Sequence, residues 1–131
     1  MATILNAQSG VGLTQTADGS GIVKLQSDGK TTNALAWVNF NGTTSPGTIR
    51  SQYNVSSVTR NSTGVYTISF TTAISNYYCP SINGYQNNGG SNFYGYMFGD
   101  VLSPTALKIV TSNSAGTATD MLGVTLVIHG D

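Results

Sequence analysis

Apolar residues alternate with polar ones in short runs along the chain. Nowhere do they recur at i, i+3, i+4 and i+7 over the length of a helix. The clearest run is Met121 to His129, where Leu122, Val124, Leu126 and Ile128 share one face and Thr125 and His129 the other. Val65 to Phe70 alternates as cleanly, with Tyr66, Ile68 and Phe70 inward and Thr67 and Ser69 outward. Thr105 to Thr111 turns Leu107 and Ile109 inward and leaves Lys108 outside. The pattern predicts an all-β chain.

Turn chemistry separates these runs about every ten residues, the spacing of a sandwich or barrel. The breaks are Asp18-Gly19, Asp28-Gly29, Asn41-Gly42, Asn61 to Gly64, Asn87 to Gly90 and Asn113 to Gly116. Asn and Gly serve there because they tolerate positive φ and bond the local backbone. Ile49, Tyr53 and Val55 keep one phase and Val58 falls in the other, which predicts a β-bulge or strand break near Ser56-Ser57. Asn61 to Gly64 should then close a hairpin between segments 49–60 and 65–71.

The first thirty residues differ. Short runs (Thr3 to Leu5, Val11 to Leu13, Gly21 to Leu25) are separated by Gly, Ser and Asp-Gly. Strands this short bury too little to stand alone. Such an arm gains stability on a partner chain, the favoured reading, or against an edge of its own sheet. The expected architecture is an antiparallel β-sandwich, jelly-roll-like, over residues 31–131, with residues 1–30 as an N-terminal arm or attachment segment.

Composition narrows the function. The 131 residues carry five basic and five acidic side chains, a net charge of zero, and only 8% are charged. Gly, Ser, Thr and Asn supply 61 residues, so the surface is built from hydroxyls and amides. Five cations cannot supply the basic face that displaces counterions from phosphates, so no nucleic acid is expected as a partner. No apolar run approaches the roughly 20 residues that cross a bilayer, so no membrane insertion is expected, and Met1-Ala2-Thr3 opens no signal-peptide pattern. The lone Cys79 reads as a buried small hydrophobe of a chain assembled in a reducing cytoplasm.

Catalysis has little to rest on. The single His129 lies near the C-terminus, and Cys79 has no motif around it. Asp18, Asp28, Asp100, Asp120 and Asp131 are scattered singly, mostly at turns where a carboxylate caps local backbone. No metal-ligand spacing or phosphate-cradling glycine loop occurs, so no catalytic residue, cofactor or metal is expected. The informative stretch is Tyr77 to Phe98, which holds seven of the twelve aromatic residues with Asn83, Gln86, Asn87, Asn88 and Asn92 between them. Rings beside planar amides suit a flat, hydroxyl-rich ligand, and Tyr also suits protein interfaces. Alternation puts Tyr94, Tyr96 and Phe98 on one face, so core or subunit interface competes with ligand contact. The candidate receptor contacts are Tyr85, Asn87, Asn88, Asn92 and Tyr94, around an exposed tip at residues 86–92. Trp37, inside the alternating run Asn33 to Phe40, reads as a core anchor, with a binding platform as the alternative.

Ala36 to Thr43 (AWVNFNGT) followed by Ile49 to Ala73 (IRSQYNVSSVTRNSTGVYTISFTTA) resembles a β-domain of tail fibres and related virion proteins of tailed bacteriophages. Thr16 to Gly29 (TADGSGIVKLQSDG) is similar to the short-strand segment that often precedes it. The resemblance spans about residues 14–75, and its motif is structural, so it carries over no catalytic residue. It implies a virion structural protein assembled in the host cytoplasm, a homotrimer docked to tail, baseplate or capsid proteins, in some members binding a host-surface glycan. The chain opens at Met1 with almost no shaft, so the expected role is a short trimeric tail fibre or tail-tip subunit in host attachment. The alternatives are a capsid decoration (cement) protein and a carbohydrate-binding module.

Overall fold

The computed structural model describes residues 26–27, 30–31, 33–75, 77–85 and 97–130. Ten strands follow in chain order: β1 (Gln26–Ser27), β2 (Lys30–Thr31), β3 (Ala36–Asn41), β4 (Thr48–Tyr53), β5 (Val55–Ser62), β6 (Val65–Phe70), β7 (Tyr78–Tyr85), β8 (Met97–Ser103), β9 (Ala106–Thr111) and β10 (Gly123–Gly130). The described residues form no helix. The last eight strands make two four-stranded antiparallel sheets, ordered β4-β3-β10-β7 and β5-β6-β9-β8, packed as a sandwich. Three hairpins stay within a sheet (β3–β4, β5–β6, β8–β9), and the connections β4–β5, β6–β7, β7–β8 and β9–β10 cross between sheets. β1 and β2 pair over two residues, bracketing positions 28–29.

Alternation builds the core as expected. Tyr66, Ile68 and Phe70 of β6, Leu107 and Ile109 of β9, and Val124, Leu126 and Ile128 of β10 are buried, and Thr125 and His129 are exposed. β3 contributes Ala36, Val38 and Phe40. Edge-to-face ring pairs tie the sheets together, Phe40 to Tyr66 with centroids 5.2 Å apart and Phe70 to Tyr78 at 5.9 Å. Leu122 lies just before β10 and is only half-buried, while Met121 takes the buried position.

The expected irregularity is present, since the β5–β6 register shifts between Val55 and Ser57. The segment 49–60, however, is not one hairpin arm. β4 pairs with β3 in the first sheet, and only β5 pairs with β6 in the second. Asn54 makes the corner at φ 55°, a left-handed conformation that Asn adopts more readily than most residues. Its side chain holds the corner from within: Nδ2 donates to the Leu35 and Thr72 carbonyls at 3.1 and 3.2 Å, and Oδ1 accepts from the Thr72 N–H at 2.8 Å.

Asn61 to Gly64 closes the β5–β6 hairpin as expected. Gly64 sits at φ 69°, and a Cβ there would collide with the Thr111 carbonyl oxygen. Its N–H donates to Asp120 Oδ1 at 2.8 Å.

Candidate functional site

The outward face of the β4-β3-β10-β7 sheet collects the exposed aromatic and amide groups. Because Ala36, Val38 and Phe40 take the inward phase of β3, Trp37, Asn39 and Asn41 must point out. Trp37 is 36% exposed, so it is not the core anchor its residue type suggested. The signal was in the sequence: Trp37 is one residue out of phase with three apolar neighbours.

Register sets these residues in rows across the sheet. Tyr53, Trp37, Val127 and Ser81 form one row. Ser51, Asn39, Thr125 and Asn83 form the next. Beyond them Gly123 pairs with Tyr85. Asn39 Nδ2 donates to Thr125 Oγ1 at 3.0 Å, locking the middle row.

Tyr85, the one expected contact residue among those described, lies on this face and is 39% exposed. Its ring covers the backbone of Gly123 so closely that any Cβ there would overlap it. Asn87, Asn88, Asn92 and Tyr94 fall at residues 86–96, outside the described residues, as do Phe93 and Tyr96.

Arg50, which the sequence reading passed over, connects this group. It enters the face where the β3–β4 register shifts between Asn39 and Phe40. Nη2 donates to the Leu122 carbonyl at 2.6 Å and Nη1 to Asn39 Oδ1 at 3.3 Å, with the Tyr85 hydroxyl and the Phe40 carbonyl each 3.5 Å from Nη1. Arg50 forms no ion pair with any described residue. The face therefore presents an aromatic platform, a row of amides and hydroxyls, and one guanidinium held by neutral acceptors.

No family model, curated protein or solved structure matches this chain.

Among the described residues, two other groups of chemically capable side chains occur. Cys79, expected to be buried, is exposed: Tyr78 takes the inward position on β7, so Cys79 points out and pairs in register with His129, also exposed. Tyr77 beside them is 89% exposed. The second group is Asp120, which caps no local backbone. Both its oxygens accept from Arg60, the shortest contact being Nη2 to Oδ2 at 2.6 Å, and the Tyr66 hydroxyl lies 2.8 Å from Oδ1. Burial alone would raise the Asp120 pKa. The Arg60 hydrogen bonds, the Gly64 N–H, the Tyr66 hydroxyl and the Arg60 charge together outweigh it and hold the carboxyl below its ordinary value. The Tyr66 hydroxyl is pushed up, first by burial and then by its bond to Asp120, and stays neutral. This cluster links β5, β6 and the segment before β10 as a structural clamp. Among the described residues no three His, Cys, Asp or Glu side chains converge on a point that could hold a metal ion.

Proposed function

We propose that this protein is a non-enzymatic bacteriophage virion component, a short trimeric tail-fibre or tail-tip subunit that contributes to host attachment. The observation that carries the reading is the outward grouping of Trp37, Tyr85, Asn39 and Arg50 on one face of the sheet, a surface suited to contact rather than turnover. The resemblance of residues 14–75 to the tail-fibre β-domain supplies the virion setting and the trimer. A surface rich in Ser, Thr, Asn and Gly and poor in charge suits a particle that must not adhere unspecifically to charged envelopes or to DNA.

A second reading, a free carbohydrate-binding module, is favoured by the outward placement of Trp37. It predicts a monomer whose sugar affinity falls when Trp37, Tyr85 or Tyr94 becomes Ala. The two separate by adsorption of the purified chain to bacterial cells, to tail-less capsids and to immobilised glycans, with the solution mass measured in parallel. A trimer that binds cells and not capsids fits the attachment subunit. A trimer that binds capsids and not cells is a decoration protein, and a sugar-binding monomer is the module.

A further inference from the structure

Trp37 and Arg50 lie on the same face, on neighbouring strands and in adjacent rows of the sheet, and among the described residues that face carries a cation and no carboxylate. The described residues include two carboxylates, and neither belongs to it. Asp100 pairs with Lys108 at 3.2 Å in the other sheet, and Asp120 is held by Arg60. Arg50 is exposed and, among the described residues, has no carboxylate paired with it.

Its hydrogen bonds fix the guanidinium without neutralising it. Nη2 is anchored on the Leu122 carbonyl and Nη1 on Asn39, while Nε–H donates to none of the described residues. A positioned guanidinium with donors to spare is arranged to take a planar carboxylate. Trp37 stands one row away, two residues along β3 from Asn39, a separation of ~7 Å and about the breadth of one pyranose unit. Between and beside them, the Thr125 hydroxyl and the exposed Asn83 amide face outward.

We propose that this face binds an acidic glycan, with Arg50 taking the carboxylate of a hexuronic acid residue and Trp37 stacking on the apolar face of the sugar. A free phosphate has no apolar face for the indole, and a neutral sugar leaves the cation unused. A hexuronate satisfies both on adjacent units. The proposal rests on the reading of this face as the contact surface and adds the chemical class of what it contacts.

The test uses the full chain and isothermal titration calorimetry with oligosaccharides of glucuronic, galacturonic and mannuronic acid, each beside its carboxyl-reduced counterpart. At least one oligouronate is expected to bind ten-fold or more tightly than its reduced form, with the preference weakening as salt is raised. Trp37→Ala should abolish binding to both forms. Arg50→Gln should remove the preference, and Arg50→Lys should restore part of it. Because Arg50 also braces β4 against Leu122, Asn83→Asp serves as a second variant. It adds a carboxylate without touching Arg50 and should weaken oligouronate binding several-fold more than it weakens binding of the reduced sugar.

Equal affinity for acidic and reduced sugars, an unchanged preference in Arg50→Gln and Asn83→Asp, or no binding to any of the three series overturns the proposal. Cell adsorption by the same variants separates this failure from failure of the attachment reading. Adsorption that survives Trp37→Ala and Arg50→Gln, together with no oligouronate binding in the native chain, leaves attachment standing on another surface and overturns the acidic-glycan site. Oligouronate binding by a chain that does not adsorb to cells upholds the site and overturns the attachment role.

Discussion

Asp120 and Asn54 show how much of this fold hangs on single polar side chains. Asp120 accepts from two parts of Arg60, from the Gly64 N–H and from Tyr66, and its pKa lies below the ordinary carboxylate value of ~3.9. The native state therefore binds its proton less readily than the unfolded chain. The stabilisation is fully present above about pH 5 and fades as pH falls through ~4 and below. Asp120→Asn should cost about 1–3 kcal/mol at pH 7, and the gap from the native chain should narrow toward pH 3. Urea unfolding at stepped pH checks this, and parallel curves for the two proteins would remove the charge from the explanation. Asn54→Ala should also lose about 1–3 kcal/mol, from three hydrogen bonds and a left-handed backbone together. Asn54→Gly, which relieves the backbone, should lose less, as thermal melts of the pair would reveal. Neither role was legible in the sequence. Asp120 serves residues some sixty positions away, and Asn54 reads there as one more polar residue in a Ser- and Asn-rich stretch.

At the scale of the strand, alternation was the legible signal, and it failed where residue type was allowed to overrule phase. β6, β9 and β10 bury the residues their patterns assign. Trp37 and Cys79 were expected inside because Trp and Cys are usually buried, yet each is out of step with its buried neighbours and faces outward. The phase change after Val55 marked an irregularity correctly, but a one-dimensional pattern does not distinguish a bulge within a hairpin from a corner between sheets. The same signature of changed parity arises from both. Phase also predicts energetics on β3. Phe40 is fully buried against Tyr66, so Phe40→Ala should cost about 3–5 kcal/mol. Trp37→Ala, with more side-chain volume removed, should cost on the order of 1 kcal/mol, because the ring is already partly in water. Chemical denaturation of the two variants decides the matter. A larger loss at Trp37 would place the indole in a contact beyond those made by the described residues.

That last outcome belongs to the whole molecule. The candidate face joins residues far apart in sequence, Trp37 and Asn39 with Arg50, Tyr85 and Thr125, so only the sheet order β4-β3-β10-β7 assembles it. The hairpin signals along the chain fix neighbours such as β3 and β4 but leave open that β10 comes between β3 and β7. Tyr85 was accessible to sequence reading through its aromatic and amide neighbourhood, whereas Arg50 was not, since its role exists only once Leu122 is beside it. If the chain acts as a fibre subunit, three copies must associate, and light scattering of the intact protein should give about three times the chain mass of 13.6 kDa. Copies that met through the Trp37 face would bury the indole, so Trp37→Ala would dissociate the trimer and glycan would compete with assembly. Copies that met elsewhere would leave it free, and the trimer mass would be unchanged in Trp37→Ala while sugar binding disappears. The polar middle row of Ser51, Asn39, Thr125 and Asn83 favours the second outcome, because the centre of a permanent subunit contact is normally apolar and this one is lined with amides and hydroxyls. A stable trimer whose mass survives Trp37→Ala is therefore expected, and a monomer at all concentrations would shift the function to the carbohydrate-binding module.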